Sequence, residues 1–164
     1  MTKKILNEIT FIYKNKINIK IKNGNGWNFT QNSHFLNIIF YLIYAYLKKI
    51  DQTLLHNGYI SIVHWNEDYP IIAWNDKNPY NRVIYLTAGE LYWSQCVYQL
   101  AHELTHYFIG GTQDKHNNWF YEALAELASN YFLVEMGIIC SELLIPEISS
   151  YAKNFSDYQQ KNTK

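Results

Sequence analysis

Residues 82–111 read RVIYLTAGELYWSQCVYQLAHELTHYFIGG, and the change of rhythm inside this stretch decides the fold. Arg82 to Leu86 is a short run rich in β-branched and aromatic side chains, the composition of a strand. Thr87-Ala88-Gly89-Glu90 has the Thr-x-x-Glu form of a capping box, so a helix is expected from near residue 88 to Phe108, stopped by Gly110-Gly111. Upstream, the segment Ile9 to Ile21 ends in strict alternation, with Ile17, Ile19 and Ile21 opposed to Asn18, Lys20 and Lys22: one strand with one wet face. Asn23-Gly24-Asn25-Gly26 marks a turn, and Ser33 caps a helix through Lys49 that is apolar nearly all round and so belongs in the core. Tyr59 to His64 and Ile71 to Trp74 read as strands of a hairpin around Asn66 to Pro70. Downstream, Asn118 caps a helix expected to run through Met136 and to end at Gly137, and the polar tail from Asn154 is expected to fray or fold back. The order of elements gives an α+β fold, a small twisted mixed sheet with a backing helix followed by two further helices. One domain, 1–164, is expected: sheet and backing helix in 1–87, the two helices in 88–136, a C-terminal segment in 137–164.

Composition narrows the partners. The 14 basic and 14 acidic side chains cancel, which removes any general attraction to nucleic acid or anionic lipid. Within that balance residues 1–89 carry a net +5 and residues 90–164 a net −5, so the carboxylates gather in the second half. Cys96 and Cys140 are too few for a disulfide framework and read as buried thiols. Lys3 and Lys4 are followed by Asn7 and Glu8, which interrupt any secretory apolar stretch, and the longest apolar run, Phe35 to Leu47, is shorter than the ~20 residues that span a bilayer. The expectation is a cytoplasmic monomer with no membrane and no nucleic-acid partner.

The chemistry sits in His102-Glu103-Leu104-Thr105-His106. On a helix, residues four apart share a face roughly 6 Å apart, so both imidazoles reach one zinc ion at about 2.0–2.1 Å. Glu103 lies about 100° round from His102, close enough to take a proton from a metal-held water without being a ligand. A catalytic zinc takes three protein ligands and keeps one open position. Asp114, His116, Glu122 and Glu126 compete to be the third. Trp119-Phe120-Tyr121-Glu122-Ala123-Leu124-Ala125-Glu126 puts two carboxylates one turn apart, and the small Ala123 and Ala125 permit a neighbouring helix to approach. Glu122 is read as the ligand and Glu126 as the acceptor of a second ring N–H from His102 or His106.

These residues together resemble the gluzincin clan of zinc metallopeptidases, in particular its small single-domain members, the minigluzincins. The resemblance covers about Tyr80 to Met136. It implies zinc held by His102, His106 and Glu122, with Glu103 as catalytic base and Glu126 supporting a histidine. It further implies a peptide or protein substrate lying along Arg82 to Leu86 as the edge strand. The chain lacks the large C-terminal subdomain of the bigger members, so their transition-state electrophile has no matched position; Tyr107, Tyr121, Tyr131, Tyr151 and Arg82, the one arginine, are the candidates.

Two rivals are weighed. A zinc-binding protein without peptidase activity keeps every assignment except the base, but a purely structural site gains nothing from Glu103. Metzincins need Gly and His where this chain has Ile109 and Thr112, and a deformylase-type cysteine ligand would have to be Cys96, most of two turns before His102.

Overall fold

The computed structural model describes residues 8–14, 16–22, 33–50, 57–74, 77–78, 80–89, 92–109, 117–142 and 152–162. The fold is α+β. Five strands, β1 (Glu8–Tyr13), β2 (Ile17–Lys22), β3 (Gly58–His64), β4 (Ile71–Trp74) and β5 (Arg82–Leu86), form one mixed sheet in the order β1-β2-β3-β5-β4. Among the described residues four helices accompany it: α1 (Ser33–Lys49), α2 (Trp93–Ile109), α3 (Asn118–Glu142) and α4 (Ala152–Asn162). The β2–β3 and β3–β5 pairs are parallel, the two outer pairs antiparallel.

The single strand expected over 9–21 is a hairpin. β1 and β2 pair from Glu8↔Lys22 to Tyr13↔Ile17 across a short turn that begins at Lys14, whose φ of 49° is left-handed. No glycine or proline marks this turn, so the alternation on its far side hides it. The expected hairpin of residues 59–64 with 71–74 is also absent, because β5 lies between the two and pairs with both. Neighbouring strands are about 4.8 Å apart, and the six residues from Trp65 to Pro70 easily carry the chain past one strand position. Accordingly β5 buries alternate residues Arg82, Ile84 and Leu86, whereas β4, with Ile71 and Trp74 exposed, is the sheet edge.

One side of the sheet is the core. Ile19, Ile60, Ile62, Ile84 and Leu86 are fully covered and share one cluster with Ile39, Leu42, Ile43 and Leu47 of α1 and Val97, Leu100 and Leu104 of α2. At Gly58 the sheet meets Tyr80 so closely that a Cβ would run into the backbone carbonyl and Cβ of Tyr80, which explains a glycine at the start of β3.

Helix boundaries depart from expectation for local reasons. α2 starts at Trp93 rather than 88 because Thr87 is otherwise engaged. The buried Gln99 accepts from the amides of Thr87 and Ala88, at 3.1 Å each, and donates to the Thr87 hydroxyl at 2.7 Å. A glutamine two turns into the helix thus locks the strand-to-helix connection. α3 does not stop at Gly137 but continues to Glu142. Glycine costs a helix roughly 1 kcal/mol relative to alanine; complete burial of Met136 and Cys140 on either side outweighs that. The tail folds back as α4, with Phe155 fully buried in the core and Tyr158 edge-on to Tyr98 at 5.8 Å between ring centroids. Burying a phenylalanine contributes on the order of 1.5–3 kcal/mol, enough to dock so polar a helix.

Among the described residues α3 is the one helix long and apolar enough by composition to cross a membrane. It packs instead along α2 and α4 and carries Glu122, Glu126 and Glu135.

Candidate metal centre

α2 buries Cys96, Val97, Leu100, Ala101 and Leu104, spaced as one helical stripe. This fixes its rotation and turns His102 and His106 toward α3. α3 buries Ala125, Ser129, Phe132, Leu133 and Met136 in the same manner, and the fully covered Ala101 and Ala125 let the two helices lie close. Ala123, expected at that contact, is exposed. Thr105 ties α2 to α1, donating to the Ala101 carbonyl at 2.8 Å and meeting the Tyr46 hydroxyl at 2.8 Å.

The two rotations bring three side chains to one point. His102 Nε2 and His106 Nε2 are 3.1 Å apart, the Glu122 Oε2 is 3.3 Å from His102 Nε2, and the Glu122 Oε1 is 3.6 Å from His106 Nε2. Zinc–ligand bonds of about 2.0–2.1 Å at the tetrahedral angle put neighbouring ligand atoms about 3.3–3.4 Å apart. The two imidazole nitrogens lie near that separation, each has one Glu122 oxygen near it, and one atom from each residue falls within 4.8 Å of the others, so the donor set is one that could hold a metal ion. Burial, reinforced by His102 beside it, lowers the His106 pKa against the opposing pull of Glu122, which favours the neutral, ligating imidazole. Glu122 is half exposed and reaches in from the rim.

Glu103 stands beside these three, with only 4% of its surface exposed. Burial first, and the Glu122 charge second, push its carboxyl up to about 7, while a backbone N–H from Ile72 of β4 opposes them. Glu103 thus lines the same cleft as the histidine pair and Ile72 of β4 and stands outside the three convergent ligand atoms.

An open cleft of about 280 Å³ runs over this point, lined by Pro70, Ile71 and Ile72 of the β4 edge, His102, Glu103 and His106 of α2, and Glu122 of α3. The strand beside the site is therefore β4 and not β5. Its contribution escaped the sequence, where the only signal was the pair of exposed apolar residues on a four-residue strand. None of the cleft-lining residues belongs to α4.

The remaining expected residues fall as follows. The Glu126 carboxylate accepts from the Tyr98 hydroxyl and from Asn130 Nδ2 at 3.2 Å, so its partners are a tyrosine one turn before His102 and an asparagine, not an imidazole. It still joins α3 to α2. Tyr107 donates to the Tyr80 carbonyl at 3.2 Å; Tyr131 donates to Glu135 in a groove beside α1; Tyr121 is half-buried next to Glu122. Tyr151, Asp114 and His116 lie outside the described residues. Cys96 and Cys140 are free and buried, and burial raises both thiols, so neither is disposed to ligate. Compared with known proteins, the chain matches no family model, no curated protein and no solved structure.

Proposed function

We propose that this chain is a zinc-dependent peptidase of the gluzincin type, with the ion held by His102, His106 and Glu122. The observation that carries the reading is the buried Glu103, which lines one cleft with three convergent ligand atoms and Ile72 of the edge strand β4. A zinc ion bound there supplies Lewis acidity, to a substrate carbonyl and to a water. The rest is done by the chain. A peptide adds antiparallel to the outer edge of β4, held by main-chain hydrogen bonds as in β-strand addition. Its scissile carbonyl comes to rest over the histidine pair, and Pro70 and Ile71 wall the cleft. Glu103 takes a proton from the attacking water as the new C–O bond forms. When the C–N bond breaks, Glu103 returns that proton to the departing amine.

A site that served structure alone would close its fourth position with a further Cys or His. The described site instead opens onto a cleft. The test uses full-length protein, stripped of metal and then titrated with zinc, on a mixed peptide library read by mass spectrometry. Cleavage is expected only in the zinc-loaded protein, lost on chelation and restored by one equivalent of zinc. Zinc-saturated protein that cleaves nothing would make it a metal-binding protein without peptidase activity.

A further inference from the structure

Arg82 is the chain's one arginine, and 7% of its surface is exposed. Its guanidinium lies flat against the Trp74 ring, 3.8 Å from the centroid, and Nη1 donates to the Asn81 carbonyl at 3.0 Å. Among the described residues no carboxylate pairs with it; the titratable group nearest to it in effect is the Tyr107 phenol, which burial keeps neutral. A guanidinium carries five N–H donors, and covering a cation without a counter-charge is costly. One donor is accounted for by Asn81, and none of the rest is sealed from solvent. Among the described residues the side chain is thus stacked and short of an acceptor, which is how arginine is presented to a planar carboxylate.

Its place in the fold relates it to the cleft. Arg82 is directly across from Trp74, and Ile84 from Ile72, so Arg82, Trp74 and Ile72 share one face of the sheet. Ile72 lines the same cleft as Glu103 and the histidine pair. Trp74 is two residues further along the same edge, about 6.8 Å away. A peptide lying antiparallel to β4 passes the residues N-terminal to its scissile bond along Trp74, because β4 itself runs from Ile71 to Trp74.

We propose that the Arg82–Trp74 pair is a specificity subsite that reads an acidic side chain about two residues N-terminal to the scissile bond. The inference rests on the peptidase reading above. The shared chemistry is a carboxylate, which a peptide offers on an aspartate or glutamate side chain or at its C-terminus. Strand direction selects the side chain, since the C-terminal end of an antiparallel peptide leaves at the Pro70 end.

The experiment takes peptides cleaved by the zinc-loaded protein and makes each with Glu or Gln at the second position before the cut, with free or amidated C-terminus. Wild type is expected to favour Glu over Gln by about tenfold or more in kcat/KM, whatever the C-terminus, as befits a charged bidentate contact. In Arg82→Gln that ratio is expected to collapse to about one. The ratio is taken within one preparation and does not depend on the fraction folded. A wild-type ratio near one, or a preference that follows the free C-terminus, overturns the subsite. Should no peptide be cleaved at all, the peptidase reading fails separately; binding to the zinc-loaded protein of extended peptide pairs that differ only as Glu or Gln at one position, by titration of tryptophan fluorescence, still decides. Tighter binding of the Glu peptide, lost in Arg82→Gln, upholds the subsite, and equal binding refutes it.

Discussion

Replacing Glu103 by glutamine is expected to leave zinc bound and to slow peptide cleavage by at least ~100-fold, within the 10²–10⁴-fold range typical of a positioned acid–base group. The expectation follows from where Glu103 stands. It is almost wholly buried, so a substitution must keep its volume, and glutamine does. The glutamine side-chain oxygen can still accept a hydrogen bond from a nearby backbone N–H, and β4 keeps its place through its pairing with β5. What disappears is the capacity to take a proton and return it. The three atoms assigned to the ion are untouched. Zinc content and kcat/KM measured on the same preparation separate the two effects. Equal cleavage by wild type and Glu103→Gln would exclude Glu103 as the base.

The second large effect is expected at Glu122. Its carboxylate faces both imidazoles, one oxygen to each, and its side chain is half exposed. Truncating it to alanine therefore removes the one acidic group from the cluster at little cost to packing. Zinc affinity is expected to fall by more than the 10–100-fold that loss of a merely supporting residue produces. The rise in Tm that zinc gives the wild type, which reflects binding to the folded state alone, should shrink with it. His116→Ala is expected to change neither. The opposite pattern, with Glu122→Ala still saturated and His116→Ala depleted, would move the third ligand to the 110–116 segment.

The parts of the site legible in the sequence are those set by position along one helix. His102 and His106 share a face because four residues make about one turn, and Glu122 follows on the next helix, one turn before Glu126. The α+β class was legible for the same reason, since period two and period 3.6 follow one another along the chain. What was not legible depends on contacts between distant residues. Whether β4 or β5 forms the edge is settled by which strand the core needs inside, and Ile84 and Leu86 bury better than Ile71 and Trp74. The start of α2 turns on Gln99 reaching back twelve residues to Thr87, a pairing no local pattern announces. Glu126 was read toward the histidines because a carboxylate one turn after a ligand is a natural second partner. Tyr98 and Asn130 compete for it and are better placed.

The most direct test of the metal centre is zinc K-edge X-ray absorption on the stoichiometrically loaded full-length protein. Two imidazoles with oxygen ligands completing a four-coordinate shell at about 2.0–2.1 Å, and no sulfur, are expected. The imidazole multiple-scattering signal should weaken in His102→Ala and in His106→Ala, and persist unchanged in His116→Ala. A three-imidazole or sulfur-containing shell would contradict the assignment of His102, His106 and Glu122.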